Sequence, residues 1–460
     1  MTEGLLDQDK SIGHIIWALA WPAILEQILQ VSVTYVDSAM VGSLGASATA
    51  AVSVPTSTIW LVNGWMNAFA IGYAVLMARN IGARRYERAK LITRQGLIVG
   101  LLFGAILSLS FTLIAQVLPS WIGAEEEVRG LARDYYTPIA IAYLPTLLMI
   151  TISSFMRLSG DTRTPLLLNT FNNVLNTILN VFFIFGELRI GPITIHGFGL
   201  GVKGAAIATA IAVTTTAILL FVIWLTKKSI IQLELNQSFA LEKEIQKNAF
   251  RLGLPVGLER STLSFGQIIF TKMVGSLGTT ALAAHFLANT AEAMTYLPAG
   301  GLSTAATTLV AQALGREDKA LAKRFANRTT VMGTILMTTM GIVLYFTAPV
   351  LMSFFTRDAN VIALGTTVLR IEAFVEPAFG LSMLVFGVFR GAGDTRRPFY
   401  ISIAGMWVVR LPVALTLIRM TTLGLVGIWL GMALDLLLRG IISAVMYLRF
   451  TWLESSSSVH

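Results

Sequence analysis

Long apolar runs separated by short polar connections set the pattern of this chain. A membrane-spanning helix needs about 20 largely apolar residues. Twelve runs qualify, at 15–37, 52–77, 94–118, 135–156, 165–185, 203–226, 248–270, 285–310, 328–349, 367–389, 398–418 and 425–448. The pattern predicts an all-α polytopic membrane protein with twelve transmembrane helices, and the even number places both termini on one side. Hydrophobic residues make up 55% of the 460 and charged residues 13%, against about a quarter charged in a soluble chain. Mean hydropathy is +0.72.

The net charge of +9 matters through where it sits. Most of the 34 Lys and Arg residues fall in segments that share a side with the N-terminus: Lys10, the cluster from Arg79 to Arg94, Arg157 and Arg163, Lys227 to Arg251, Arg316 to Arg328, Arg390 to Arg397, and Arg449. The opposite side holds Arg129, Arg133, Arg189, Lys203, Lys272, Arg357, Arg370 and Arg419. Basic loops stay cytoplasmic, so both termini are expected in the cytoplasm, with the chain in the cell inner membrane. The charge is thereby explained without a nucleic-acid partner. The chain has no cysteine, which excludes disulfides, thiolate catalysis and cysteine metal sites. The start "MTEGLLDQDKS" is acidic and polar, unlike a signal peptide, so the first helix is expected to be retained.

The chain also repeats itself. "MVGSLGASATAA" at Met40 returns as "MVGSLGTTALAA" at Met273, and "SGDTRTP" at Ser159 returns as "AGDTRRP" at Ala392, each 233 positions on. Pro22, Glu26 and Gly82 return in the same register as Pro255, Glu259 and Gly315. After the fifth helix the offset drops to 223, because the first half carries an extra outer loop, "GELRIGPITIHG". The expected organisation is an N-terminal six-helix lobe over 1–226, a surface-lying linker helix over 227–247, a C-terminal six-helix lobe over 248–452, and an appended tail over 453–460. Homologous halves in one orientation are typical of transporters with a site between lobes. A duplicated channel or receptor is the alternative from another class.

Polar residues inside the spans carry the chemistry. Glu26, Gln30, Thr34 and Asp37 line one face of the first helix, and Asn169, Asn172, Asn173, Asn176 and Asn180 line one face of the fifth. Such stripes face a bundle interior or cavity, because lipid penalises them. For the asparagines, interhelical glue is an equal reading. Asp37 reads either as an interfacial acid at a helix end or as an ion carrier. A partly desolvated carboxylate can load and release a proton near neutral pH, and one charge moved through 100 mV supplies about 2.3 kcal/mol.

The second half has Phe270 where the first has Asp37. Its polar residues are His285, Asn289, Glu292 and Tyr296 on the eighth helix, Glu372 and Glu376 on the tenth, and Asp435 with Arg439 on the twelfth. Internal salt bridges, with Arg260 and Arg410 as partners, are the plainer reading. A substrate-attracting acid, Glu292 or Glu376, is the sharper one. Glu26 and Glu259 occur in both halves and read as structural or gating groups. Tyr35, Trp60, Met66 and Met294 are candidate soft walls for flat cations. The "GDTR" turns are expected to be tied by Asp161 with Arg163 and by Asp394 with Arg396. No phosphate-loop motif, H-E-x-x-H or nucleophile elbow occurs, so neither an enzyme nor a cofactor is expected.

With these motifs in place, the sequence resembles the multidrug and toxic compound extrusion (MATE) family. The resemblance is carried by "VDSAMVGSLG", "SGDTRTP", "NTILNVFFIFG", "GVKGAAIATAIA", "LGTTALAAH" and "FRGAGDTRRP". It implies a V-shaped pair of six-helix bundles, working as a monomer in the lipid bilayer. It also implies export of amphiphilic, often cationic organic compounds against an inward flow of protons or sodium. Asp37 sits at the family's ion-linked acid, with Asn176, Asn180 and Thr209 as its neighbours in the ion site. Gln30, Thr34, Tyr35, Asn172, Asn173, Glu292, Glu376 and Met294 become candidates for the substrate cavity. Asn180 stands where some members carry a second aspartate, and one negative charge favours protons over a sodium cage, with sodium at Asp37 kept as the alternative. The NorM-like branch's C-terminal acids are replaced by Leu263 and Phe379, so the chain looks more like the DinF-like branch. A flippase of lipid-linked precursors is the alternative within the superfamily.

Overall fold

The computed structural model describes residues 11–190, 193–227, 229–233 and 240–454, with no side-chain description for 188–195. Lys10, Lys228, the centre of the linker and most of the 453–460 tail lie outside the described residues. The helices are α1 (Ile12–Gly42), α2 (Ala46–Gly82), α3 (Tyr86–Ile114), the short α4 (Leu118–Trp121), α5 (Glu126–Ile141), α6 (Tyr143–Ser159), α7 (Arg163–Ile184) and α8 (Gly201–Thr226). They continue as α9 (Lys243–Gly275), α10 (Thr279–Gly315), α11 (Lys319–Phe355), α12 (Ala359–Gly391), α13 (Arg396–Ile403), a π-helical segment (Ala404–Arg410), α14 (Leu411–Met420) and α15 (Leu425–Leu448).

The described helices are compatible with twelve spans, with α5–α6 as the fourth and α13–α14 as the eleventh. Among the described residues nine helices are long and apolar enough to cross a membrane, and α5 with α6, bent by 47°, makes a tenth. Helices α9 and α10 are long enough but carry more polar residues. Most helices extend beyond the apolar runs, because polar end turns remain helical outside the oil.

The extra loop after α7 forms a two-stranded hairpin, β1 (Glu187–Ile190) antiparallel to β2 (Ile193–His196), with Glu187 opposite His196 and Ile190 opposite Ile193. Residues 228 and 234–239 of the expected linker helix over 227–247 lie outside the described residues. Residues 229–232 turn back on α8, where the Trp224 indole donates to the Ile231 carbonyl at 2.5 Å. The charged run from Lys243 is the start of α9 itself.

The described chain forms two compact units. The first contains 25–81 and 85–250; the second contains 11–24, 82–84 and 251 onward. In the first unit, Val62, Met66, Tyr136, Tyr143 and Leu147 pack one core cluster, and Val41, Ala51, Ala132, Ile184 and Ala205 another. The α5–α6 break falls at Ala142, beyond Pro138. Ser108 on α3 repairs it, donating to the Ile141 carbonyl at 3.0 Å and accepting from the Leu144 amide at 2.9 Å. A side chain thus satisfies backbone groups that the hydrocarbon core would leave bare. The Gln95 side chain donates to the Ala240 carbonyl at 3.0 Å, and Arg88 pairs with Glu242 at 2.5 Å, which fixes the segment leading into α9.

In the second unit, α10, α11 and α12 pack around Leu302, Leu309, Phe325, Met337, Leu384 and Phe389. Gly387 and Gly391 let α12 lie against the backbone of Ser303 and Thr307, where an added Cβ would fall 2.5–2.6 Å from carbonyl oxygen. Small residues at this spacing are a common way for membrane helices to approach. The two "MVGSLG" turns both end on a left-handed glycine, Gly45 (φ 112°) and Gly278 (φ 98°).

Candidate functional site

Asp37 lies near the C-terminal end of α1 and α7 supplies its partners. The spacing of four between Asn176 and Asn180 stacks both amides on one face of α7, and both are buried. Asn176 Nδ2 donates to Asp37 Oδ1 at 3.0 Å and Oδ2 at 2.9 Å, and Asn180 Nδ2 donates to Oδ1 at 2.6 Å. Thr209 on α8 donates to Asn176 Oδ1 at 3.2 Å. One carboxylate therefore gathers three amide hydrogen bonds, backed by a hydroxyl that orients the first amide. Tyr135 on α5, which the sequence reading did not single out, lies within electrostatic range of Asp37. Asn180 Oδ1 is buried with no hydrogen-bond partner.

Both amides turn N–H groups, not oxygens, toward the carboxylate. Among the described residues no group of His, Asp and Glu is arranged to hold a metal ion.

Glu26, eleven residues earlier on α1, belongs to a different network. Arg157 donates to it at 2.8 Å and Asn169 at 2.5 Å. Glu259 in the second unit has the same pair of partners by position, Arg390 at 3.1 Å and Ser402 at 3.0 Å. The "GDTR" turns depart from expectation. Asp161 binds Lys227 at 2.5 Å and caps α7 through the Thr164 amide, and Asp394 binds Arg397 at 2.9 Å and its amide. Arg163 and Arg396 are exposed and pair with neither acid. An acid at the start of a helix accepts from the amide three residues on, so the i+3 residue displaces the i+2 arginine. Burial pushes the Asp161 carboxyl up, but hydrogen bonds from Lys227 and Thr164 outweigh it and hold the group below its ordinary value.

Of the remaining cavity candidates, Gln30, Thr34, Tyr35 and Met294 are exposed, and Asn172 and Asn173 are half-buried. Trp60 is exposed, whereas Met66 is fully buried in the first unit's core and cannot form a cavity wall.

The second unit holds a separate chamber of about 350 Å³. Helix α9 contributes Arg260 and Gln267, α10 contributes Asn289 and Glu292, the π segment Arg410, and α15 Arg439. Leu263 and Phe379 line it too. Asp435, fully buried, accepts from Arg410 Nε at 2.8 Å and from Arg439 at 2.5 and 2.7 Å. Gly405 makes this triad possible, because a Cβ there would fall 2.0 Å from Asp435 Oδ1. Glu376 accepts from Thr295, while both oxygens of the buried Glu372 lack a partner. His285 accepts from the Trp429 indole at 3.1 Å.

A duplicated helical membrane fold, with one acid held by amides in the first unit and a charged chamber in the second, defines a transporter rather than an enzyme. A model of the MatE family matches residues 22–182 and 255–416, once in each half of the repeat. The chain belongs to the MatE family. Among curated relatives it is similar to the probable multidrug resistance protein NorM of Thermotoga maritima (28% identity, 94% of this chain, 92% of the relative). It is also similar to the probable multidrug resistance protein YoeA of Bacillus subtilis (25%, covering 93% and 92%). Solved structures of the same fold include a MATE in complex with MaL6 (TM-score 0.91, 21% identity, 99% of this chain and 100% of that one). Another is a MOP superfamily transporter from Pyrococcus furiosus (TM-score 0.90, 21%, 99% of each).

Proposed function

We propose that this chain is a secondary active multidrug efflux antiporter that exports amphiphilic, cationic organic compounds in exchange for protons, with Asp37 as the coupling acid. The observation that carries this reading is the Asp37 carboxylate held by Asn176 and Asn180, with Thr209 behind them. The names of the NorM and YoeA relatives support multidrug export. An inward proton neutralises Asp37 and weakens its hold on the two amides; loss of the proton restores it. That exchange gives α1 and α7 two hydrogen-bonded states, which is what coupling requires.

In this reading substrate contacts come from Gln30, Thr34, Tyr35, Asn172, Asn173, Glu292, Glu376 and Met294, while Glu26 and Glu259 serve as structural or gating groups. The lobes are taken as 1–226 and 248–452, with both termini cytoplasmic and the protein monomeric in a cell membrane. No nucleic acid or cofactor takes part.

The test is ethidium transport by proteoliposomes under separately imposed proton and sodium gradients. Export driven by the proton gradient and absent in Asp37→Asn supports the reading. Export driven only by sodium, or full activity in Asp37→Asn, sinks it.

A further inference from the structure

The chamber of the second unit sorts its charges by wall. On α9, Arg260, Ser264 and Gln267 share one face at spacings of four and three, and all three line the chamber. No ion pair among the described residues includes Arg260. Beside it stand Arg410 and Arg439, which share the single carboxylate of Asp435. Three guanidiniums thus answer to one acid. The α10–α12 wall carries carboxyl groups instead: Glu292 faces the chamber, and Glu372 and Glu376 lie buried behind it. None of these three glutamates pairs with any of the three arginines within 4.0 Å.

Charges of opposite sign inside a membrane ordinarily pair, because desolvation penalises each alone. Here they are held apart by a cavity whose apolar lining is Leu263, Phe379, Met406, Met432 and Leu436, with Asn289 and Tyr296 as further polar groups. Its volume lies at the low end of the range for small-molecule pockets. We infer that this chamber is a binding site for a compact zwitterion with an apolar body, its anionic group on Arg260 and its ammonium on Glu292. This goes beyond the cation export assigned above. It also stands apart from Asp37, since binding is read at equilibrium with no gradient imposed.

The test uses the full chain in lipid nanodiscs and three related probes: L-phenylalanine, its isosteric cationic amide, and its larger anionic N-acetyl derivative. Calorimetric titration should show phenylalanine binding at least about tenfold tighter than either analogue, the equivalent of one charged contact. In Arg260→Gln, phenylalanine should weaken to the level of the amide while the amide keeps its affinity. In Glu292→Gln the N-acetyl derivative should be the probe left unchanged. Thermal melts without ligand report folding, and the neutral Arg260→Met serves if the glutamine variant is unstable. The inference is overturned if the cationic amide binds as tightly as phenylalanine, if Arg260→Gln weakens all three probes equally, or if none binds up to about 10 mM.

Discussion

The two units carry the same ion pair and different acids. Glu26 with Arg157 and Glu259 with Arg390 correspond at the 233 offset, and so do the third partners, Asn169 and Ser402. Each pair joins the first helix of its repeat to the arginine three residues before the "GDTR" turn, so the duplication preserves it as architecture. The Asp37 cluster behaves differently. Asp37, Asn176 and Asn180 correspond to Phe270, Val409 and Val413, an apolar replacement of all three members. Phe270 is fully buried, packs on the His285 ring and lies 5.7 Å from the Arg410 guanidinium. The ion pair is kept twice, and the Asp37 cluster is kept once.

The largest effect that would break this comparison is at Asp37. One charge coupled at 100 mV sustains a gradient of about fiftyfold. Asp37→Asn should collapse the steady-state dye gradient to equality with normal expression, whereas Phe270→Leu should leave the gradient intact and lower only thermal stability. A dye gradient lost in both variants would remove the functional asymmetry.

The shared ion pairs come next. Removing one partner of a buried pair costs about 3 kcal/mol, because the other charge is left unpaired. Glu26→Gln and Glu259→Gln should both lower the melting temperature in detergent, with Glu259 the more sensitive because its side chain is 5% exposed against 13% for Glu26. Destabilisation confined to one half would show that only one pair is structural.

A smaller effect separates the fifth span from its counterpart. Asn172 on regular helical α7 corresponds to Gly405 in the π segment, and Thr216 to Arg439. In the first unit Thr216 and Asn172 meet at 3.4 Å. In the second the arginine needs the space a side chain would take. Gly405→Ala should therefore cost about 1–3 kcal/mol by overpacking, and Asn172→Ala no more than about 1 kcal/mol. Equal melts for the two variants would mean that the π segment does not depend on the triad.

The fold was legible because hydropathy and the repeat are long-range signals that need no side-chain geometry. The sequence reading placed Asp37, Asn176, Asn180 and Thr209 in one ion site through helical spacing and family resemblance, and these four residues do meet. Three features were not legible. The Asp161–Lys227 bond depends on where α8 ends, and Arg163 was nearer only in sequence. The π segment answers to Asp435, which arrives 30 positions later than Gly405. The sorting of Arg260 and Glu292 to facing walls requires knowing that no pair forms between them. Met66 shows the same limit in reverse: a flexible thioether inside a span can equally be core.

The smallest predicted effect concerns the turns, where the halves use different cations for one task. Asp161 draws on Lys227 beyond α8, and Asp394 on Arg397 within its own turn. The Asp161–Lys227 pair is partly exposed, at 28% and 45%, so it contributes no more than about 1 kcal/mol. Because the folded carboxyl is held below its ordinary value, its contribution is fully present above the ordinary carboxylate range, near pH 4. It fades as pH falls through the lower folded value. Wild type and Asp161→Asn should therefore differ by a small, constant margin in melts from pH 7 to pH 5 and converge in more acidic buffer. Lys227→Met should show the same margin at neutral pH, since the bond needs both partners. A difference that grows toward acid would mean that Asp161 folds in its protonated form and that the turn is held by Thr164 alone.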